Sequence, residues 1–385
     1  ESFRRREERR RALGGAGSSS RGSRTEAAIE RGLMFLARHQ NIDGRWELSG
    51  FNEAVSINSD TAATGLALLC FTGGAYSHRE GKYADTVDRG LKFLLANQRE
   101  NGDLYIEMET YSSSAAWLYS HSIASIALCE AYGMTQDPAL KEPAQRAIDF
   151  ILAAQHPERG GWRYSPRKGS DTSVTGWMLM ALYSARLAGL DVRDEAWPKL
   201  HNWLDMAQAG PREPHLYRYN PFAPNTPQQG HGREATKTMT AVGLLLRFYA
   251  SGWRRDNQDL LRGADYLLEH PPANGTVARP QRDTYYWYYA TQVMFHVGGE
   301  RWKRWWDPLS TMLRTEQLKE GPLAGSWDPR TPVPDRWGPH AGRHYVTTLN
   351  LLSLEVRWRH LPIYDDYAQG AQGEDADVPA EGSSN

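Results

Sequence analysis

The sequence of 385 residues has little cysteine, little net charge and no long hydrophobic run. Its two cysteines, Cys70 and Cys129, lie within apolar segments, so a disulfide framework and a cysteine-rich zinc site are excluded and buried free thiols are expected. No apolar run is long enough to cross a bilayer as a helix. The formal net charge is -1, which gives no overall field that would favour nucleic acid as a partner.

The two ends of the chain differ in composition from its middle. Residues 1–24 are rich in Arg, Gly and Ser, which predicts a basic flexible linker, and residues 363–385 are acidic, which predicts a disordered tail. No linker interrupts residues 25–362, so we expect one domain there. The basic run suits a protein tethered to a membrane through a segment upstream of residue 1. A solvated linker on a cytoplasmic protein is the alternative.

A short helical template recurs along the middle of the chain at intervals of roughly 55 residues. Each copy starts with a small or apolar residue, continues with an aromatic residue and Leu or Ile, and ends with Gln. The clear copies are residues 32–40, 90–98, 147–155 and 200–208, and weaker ones end at Pro271 and Gln317. A glycine follows the glutamine, often with a tryptophan, as in Gly44–Trp46 and Gly161–Trp162. Glycine at this place ends a helix because it tolerates positive φ.

A second, more apolar helix is predicted after each of these turns. The candidates are residues 60–71, 119–133, 171–187, 237–250, 284–297 and 344–358. Helices that are apolar nearly all round are buried, whereas the template helices are amphipathic, so each repeat supplies one outer and one inner helix. One repeat cannot bury its own faces, and about six of them form a closed ring or an open solenoid. The sequence therefore predicts an all-α fold, an (α/α)6 toroid of about six helical hairpins.

The turns after the template helices resemble the Gln–Trp repeats of the squalene and oxidosqualene cyclase superfamily and of protein prenyltransferase β-subunits. The best matches are Gln40–Gly44–Trp46 and Gln155–Gly161–Trp162, within a similarity that extends over about residues 25–360. The resemblance implies a closed toroid around an apolar central cavity that holds an isoprenoid. The superfamily also has members that act on no isoprenoid, so the fold leaves the function open.

The catalytic motif of squalene-type cyclisation is absent. That reaction uses an Asp-x-Asp-Asp run, in which one carboxylic acid protonates an alkene or epoxide. The nearest acidic clusters are Asp365–Asp366 and the run from Glu374 to Asp377, all in the predicted tail.

The zinc site of protein prenylation is incomplete. That family binds zinc through Asp, Cys and His, and by resemblance Asp283 and His344 occupy two of these positions, whereas Tyr285 stands in place of the cysteine. A partly open site for a divalent metal, Zn or Mg, at Asp283 and His344 is the one cofactor site that the resemblance leaves open. A structural zinc would need about four ligands.

The predicted inner helices begin with polar and charged residues. In order, these are Asp60, His121, Asp171, Lys237, Asp283 and the pair Arg343–His344. In a toroid they would surround one mouth, where helix N-termini favour anionic groups. We interpret Asp60, His121, Asp171 and His344 as candidate catalytic residues, and Lys237 and Arg343 as candidate ligand contacts. The alternatives are that the aspartates cap their helices and that His121 is buried and bonded to its neighbours.

Five consecutive aromatic residues, 285–289, cover every face of the fifth inner helix. Tyr286, Trp287 and Tyr288 are candidates for a ligand-binding wall that stabilises a carbocation by cation–π attraction or stacks on a sugar. Oversized core packing is the alternative.

These observations give several hypotheses for function. The first is a terpene cyclase- or prenyltransferase-like toroid that binds an isoprenoid or other apolar small molecule in its central cavity, as an enzyme or as a carrier. A non-catalytic binding or scaffold module is the second. The third is a carbohydrate-active α/α-barrel enzyme with Asp60 and Asp171 as its paired carboxylates. A centre filled by side chains would argue against the first hypothesis. Carboxylates turned to their own backbone N–H groups would argue against the third.

Overall fold

The computed structural model describes residues 3, 6, 20–51, 53–108 and 111–360, with side chains throughout except in 20–23 and 111–114. Six helices form an outer layer: α1 (Ser20–Arg38), α3 (Ala84–Ala96), α5 (Pro138–Ala154), α7 (Ala196–Ala207), α9 (Gln258–Leu268) and α11 (Gly299–Glu316). Six form an inner layer: α2 (Asp60–Gly73), α4 (Tyr111–Thr135), α6 (Thr172–Ala188), α8 (Lys237–Ser251), α10 (Thr284–Val297) and α12 (Gly338–Leu354). A short helix, α13 (Val356–Arg359), follows α12.

Little else is regular in the described ranges. A single 3-10 turn covers Gly230–Arg233, and two short antiparallel strands, β1 (Gly275–Thr276) and β2 (Arg279–Pro280), form a hairpin before α10. No helix of the described part is long and apolar enough to cross a membrane. Helix α1 begins at Ser20, inside the segment expected to be a linker, and the predicted acidic tail lies outside the described residues.

The inner helices form a closed ring. Each contacts the next in the order α2, α4, α6, α8, α10 and α12, and α12 returns to contact α2. The outer layer closes as well, because α11 contacts α1. The predicted all-α toroid is therefore confirmed.

Close approach of the inner helices depends on small residues. A Cβ atom at Gly65 would lie 2.9 Å from Ile123 on the neighbouring inner helix, and one at Gly176 would lie 2.8 Å from Val242. Nearly every side chain of these helices is buried, as the absence of a polar face in their sequences predicts.

A glutamine follows each of five outer helices in the described chain and bonds the backbone there. The side-chain amide donates to a carbonyl of its own turn and, in four of the five, to a carbonyl of the next outer helix. These pairs are Gln40 with Gly44 and Thr86, Gln98 with Gly102 and Pro143, Gln155 with Gly160 and Ala196, and Gln317 with Gly325 and Ala28. Gln208 bonds Pro214 and the hydroxyl of Tyr217 instead. Because Ala28 is in α1, Gln317 joins the last repeat to the first.

The aromatic residue after the glutamine is held by one further bond, or by two where it is a tryptophan. Its backbone N–H donates to a threonine hydroxyl of the inner helix: Trp46 to Thr64, Trp162 to Thr175, Tyr217 to Thr240 and Trp327 to Thr347, at 3.0 to 3.2 Å. The indole N–H of each tryptophan donates to a carbonyl near the end of the preceding outer helix: Trp46 to Leu36, Trp162 to Ile151 and Trp327 to Leu313, each at 2.8 Å. The recurring sequence template thus corresponds to a recurring set of bonds.

Side chains fill the middle of the ring. Trp177 of α6 stacks on Tyr288 of α10, with ring centroids 5.5 Å apart, although α8 lies between these two helices in the ring. Tyr289 packs edge-on against Trp177 at 5.9 Å. All three are at most 2% exposed. A ligand chain at this depth would have to displace them.

Candidate functional site at the mouth of the ring

The two ends of the ring differ in construction. Long loops connect each outer helix to the inner helix of its repeat. Their described parts are residues 39–51 with 53–59, 97–108, 155–171, 208–236, 269–283 and 317–337. Shorter segments make the return connections at the opposite end. The loops and the N-termini of the inner helices therefore surround one mouth, where the sequence predicts the polar residues.

Asp171 is a carboxylate at this mouth with no exposed surface. Its Oδ1 caps α6 by accepting from the backbone N–H of Val174 at 2.8 Å. Its Oδ2 accepts from the hydroxyl of Tyr219 at 3.1 Å and lies 3.7 Å from Nε of Arg163. Burial raises the pKa of Asp171 to about 7, against the lowering effects of the Val174 N–H and the Arg163 charge. The carboxyl can therefore hold a proton near neutral pH.

Tyrosine hydroxyls extend from Asp171 toward the solvent. The hydroxyl of Tyr219 is 2.6 Å from that of Tyr164, and both side chains are only partly buried. The mouth thus combines a buried carboxyl with hydroxyl groups and aromatic faces within reach of solvent.

A second chain of hydroxyls starts at Ser173, in the first turn of α6. Tyr119 donates to its Oγ at 2.7 Å, and the hydroxyl of Tyr285 lies 2.6 Å from the same oxygen. Tyr119 is partly buried, and the other two are 4% and 8% exposed. This chain links α4, α6 and α10 on the inner face of the mouth.

Asp60 lies at the start of α2 but does not cap it, because Ser59 accepts the capping bond from Ala62. The Oδ2 of Asp60 is 3.2 Å from Nε of Arg45. Partial burial raises the pKa of Asp60 to about 6, against the nearby Arg45 charge. Asp60 is therefore a half-buried carboxylate paired with an arginine.

Asp283 and Lys237 occupy the mouth at α10 and α8. Asp283 caps α10 by accepting from Tyr286 N–H at 2.9 Å, and burial raises its pKa to about 6. The ammonium group of Lys237 lies 4.7 Å from the centroid of the Tyr286 ring, and burial lowers its pKa. Lys237 remains partly exposed, which fits a ligand contact.

Arg343, predicted as a ligand contact, is engaged within the protein. It is 4% exposed, its Nε donates to Glu53 at 3.0 Å, and its Nη atoms donate to Ser326 at 3.2 Å and Asp328 at 2.6 Å. The backbone N–H of Arg343 also donates to Glu53. These bonds join the last inner helix to the loop before the first, so Arg343 helps to close the ring instead of presenting a free guanidinium.

The imidazole of His121, predicted as a catalytic group, is not open to the mouth. The imidazole has no exposed surface and points to the outer layer, where Nε2 lies 3.0 Å from the carbonyl of Ala147. Its Nδ1 accepts from the backbone N–H of Leu104 at 3.1 Å. This is the bond that a threonine accepts in four of the other repeats. Asp103 and Ser125 lie 3.4 and 3.2 Å from the ring nitrogens, but the Leu104 bond occupies the Nδ1 lone pair, so a triad with protonated Nδ1 is not formed.

His344 is also enclosed. Its Nε2 donates to the carbonyl of Ala63 in α2 at 2.8 Å, and burial lowers its pKa to about 4, so the ring is neutral. Asp283 uses one oxygen to cap its helix. Among the described residues, no group of three or more His, Cys, Asp or Glu side chains is placed to hold a metal ion. The bonds of His344 and Asp283 therefore give the predicted metal pair no support.

The five aromatic residues 285–289 lie in different environments. Tyr286 donates to the carbonyls of Leu267 and His270 at the end of α9, so it faces the outer layer and not a ligand. Trp287 is 1% exposed in the core. Tyr288 helps to fill the ring and accepts a bond from Arg359 at 3.1 Å. The predicted ligand wall of Tyr286, Trp287 and Tyr288 is thus core packing, and Tyr285 is the member that reaches the mouth.

The sequence interpretation missed the tyrosines around Asp171. Two of these tyrosines could have been found from the repeats. Trp162-Arg-Tyr164 and Tyr217-Arg-Tyr219 have the same aromatic-Arg-Tyr pattern at corresponding places in two successive repeats. Tyr119 carries no such signal.

No family model and no curated protein matches the sequence. Solved structures with similar folds are an α-1,6-mannanase variant of Salegentibacter sp. in complex with α-1,6-mannotriose, an α-amylase from Clostridium perfringens, and a type II terpene cyclase variant from Scytonema in complex with geranylgeranyl dihydroxybenzoate. The mannanase is 12% identical with a TM-score of 0.59, over 87% of this chain and 99% of that chain. The amylase is 11% identical with a TM-score of 0.55, over 86% and 97%. The cyclase is 16% identical with a TM-score of 0.54, over 88% and 97%. At these identities the similarity shows a shared α/α toroid fold.

Proposed function

We propose that the protein binds a sugar-containing ligand at the mouth of the ring, next to Asp171 and the first turn of α6. The observation that carries this proposal is the cluster of partly buried tyrosines, Tyr119, Tyr164 and Tyr219, around a buried carboxyl and the Ser173 hydroxyl. A sugar ring offers hydroxyls on its edges and apolar C–H groups on its faces. Aromatic side chains with a polar end match both features.

The filled centre argues against the isoprenoid ligand that the superfamily resemblance implies. An isoprenoid chain needs an apolar lumen of its own length, and here Trp177, Tyr288 and Tyr289 occupy that space at 2% exposure or less. The type II terpene cyclase with the same fold is solved with an isoprenoid substrate, and the mannanase with a mannotriose. The filled lumen favours a ligand of the second kind, bound at the surface of the ring.

Binding is favoured over hydrolysis by the bonds of Asp171. Glycoside hydrolysis uses two carboxyl groups, of which one must donate its proton to the leaving oxygen. In Asp171, Oδ1 is committed to the cap of α6 and Oδ2 to Tyr219. Neither oxygen of Asp171 is therefore free to act on a leaving group, and we infer a non-catalytic binding module.

The test is a binding measurement on the purified protein by isothermal titration calorimetry. Linear α-1,6-mannan and α-glucan oligosaccharides are the first probes. We expect saturable binding without release of new reducing ends. The Tyr164→Ala and Tyr119→Ala variants should each weaken binding about tenfold, because one aromatic or hydroxyl contact of this kind contributes about 1–2 kcal/mol.

Tyr286→Phe is the matched control, because it removes a tyrosine hydroxyl that faces the outer layer. It should leave ligand affinity unchanged. Organic extraction followed by mass spectrometry should find no isoprenoid on the protein. A co-purified isoprenoid at stoichiometric level, together with no response to any glycan, would overturn the proposal.

A further inference from the structure

The side chain of Arg163 lies beside Asp171 at the mouth of the ring and is 32% exposed. Its Nε is buried and has no hydrogen-bond partner among the described residues. Oδ2 of Asp171 is 3.7 Å from this nitrogen, which is too far for a hydrogen bond, and it already accepts from the hydroxyl of Tyr219. Arg163 therefore brings to the mouth a positive charge that Asp171 approaches without a hydrogen bond.

Other arginines of this protein bond their partners directly. Arg301 donates to the two oxygens of Asp265, through Nε at 2.6 Å and Nη2 at 2.8 Å. Arg218 occupies the place in the next repeat that corresponds to Arg163, and its Nη2 donates to the carbonyl of Ala209. A guanidinium binds a carboxylate best through two parallel bonds of the kind that Arg301 makes. Arg163 does not form this pair with its neighbour, so the paired geometry is open to a ligand.

Contacts along the stem of Arg163 hold its position. Residues 162–171 fold back on themselves as a short hairpin, which carries Arg163 on one arm and Gly169 on the other. A Cβ atom at Gly169 would lie 3.4 Å from Cδ of Arg163, so the arginine stem runs along this glycine. The guanidinium carbon lies 5.0 Å from the centroid of the Tyr164 ring. These contacts orient the guanidinium without using a carboxylate.

The charge of Arg163 is not balanced below neutral pH. Burial raises the pKa of Asp171 to about 7, so below that pH its carboxyl is mostly protonated. The hydroxyls of Tyr119, Tyr219 and Tyr285 are the other titratable groups that influence Asp171 or are influenced by it, and burial raises the pKa of each, so they stay neutral. Together these five groups carry a net positive charge in that pH range.

We propose that the ligand at this mouth is an acidic sugar, whose carboxylate binds Arg163 while its ring lies against Tyr164 and Tyr219. This inference rests on the sugar binding proposed above and narrows it to glycans that contain uronic acid residues. The planar guanidinium matches a carboxylate, and the two tyrosine hydroxyls, 2.6 Å apart, are placed for the hydroxyls of the same sugar. A neutral sugar would leave Arg163 without an anionic partner.

The test compares each acid with its own methyl ester, which has the same rings and linkages but no charge. Oligosaccharides of galacturonate and of alginate are titrated into the full chain by calorimetry, at about pH 6 and low ionic strength, where surface charges are least screened. We expect an acid to bind about tenfold more tightly than its ester, because the added hydrogen bonds involve two charges. Added salt should reduce this preference. A sulfated neutral glycan that binds more tightly than every uronate would overturn the choice of a carboxylate.

Variants of Arg163 separate recognition of the charge from a structural role. Arg163→Gln should bring the acid down to the affinity of its ester, and Arg163→Lys should keep part of the preference, because it retains the charge but loses the planar pair of donors. Arg99→Gln is the matched control, because Arg99 lies in the mouth loop of the preceding repeat and bonds Asp103 at 3.2 Å. It should leave the preference intact. Thermal unfolding verifies that each variant is folded.

The outcomes distinguish this inference from the sugar binding on which it rests. If acids and esters bind equally tightly and Tyr164→Ala weakens both, the mouth binds sugars but does not select acidic ones, and this inference fails alone. An equal loss of both ligands in Arg163→Gln would also overturn it, because the arginine would then support the fold of the site. If no acid, ester or neutral glycan binds, both proposals fail.

Discussion

Replacement of Gln317 by Leu tests whether the ring is closed in solution. Gln317 is 3% exposed, and its amide donates to the carbonyl of Ala28 at 2.7 Å and to that of Gly325 at 3.0 Å. Its Oε1 accepts from Nε of Arg31 at 3.1 Å. Leucine has a similar volume, so the change removes the hydrogen bonds and leaves little cavity.

The expected loss follows from the groups left without partners. Two buried carbonyls lose their donor. Each lost bond costs about 1 kcal/mol net, or more when water cannot reach the acceptor. We expect Gln317→Leu to lower the free energy of unfolding by about 2–4 kcal/mol. Urea denaturation followed by tryptophan fluorescence measures this loss as a lower midpoint at unchanged slope.

Gln155→Leu is the matched control, because Gln155 is equally buried and makes the same two kinds of bond at an internal junction, to Gly160 and Ala196. In a closed ring the two variants should lose similar stability. If Gln317→Leu costs less than about 0.5 kcal/mol while Gln155→Leu costs the full amount, the first and last repeats are apart and the molecule is an open solenoid.

Three further changes have defined outcomes. His121→Thr should cost less stability than His121→Leu, by about 1–2 kcal/mol in urea denaturation, because threonine still accepts from Leu104 N–H. Burial raises the pKa of Asp171 to about 7, so the folded state keeps a proton that the unfolded chain loses above pH 3.8. Stability should therefore fall as pH rises from about 4 to about 7, and Asp171→Asn, which still caps the helix, should flatten this slope in thermal melts. Arg359→Met should lose about 3–5 kcal/mol, and adding Glu130→Gln should recover part of that loss.

The fold could be predicted because its signals are local and repeated. The helical period, the glutamine and the following glycine recur within each copy, and each corresponds to a bond that the structure forms, as at Gln155 and Trp162. Closure of the ring depends on contacts between the two ends of the chain. The Arg343–Glu53 pair, 290 residues apart, has no signal in either local sequence.

The candidate site could be predicted only in part, for reasons that differ by residue. Asp171 and Asp283 were placed correctly at inner helix N-termini, but residue type alone could not separate capping from catalysis. The bond of His121 to the Leu104 N–H could not be predicted, because this partner is defined by the repeat register and not by the residue itself. The aromatic run at 285–289 has no polar residue to mark an exposed face, so its orientation depends on packing with other helices.

The position proposed for the ligand site follows from how this chain fills its toroid. A closed ring of inner helices leaves a lumen and a mouth as places for a ligand. Trp177 and Tyr288 occupy the lumen, and Arg359 crosses the ring beneath them to Glu130. These side chains satisfy one another by stacking and by buried hydrogen bonds, so opening the lumen would leave charges and rings unpartnered in an apolar space. At the mouth, by contrast, the hydroxyls around Asp171 end in partly exposed tyrosines, where a ligand can add contacts without breaking any bond of the core.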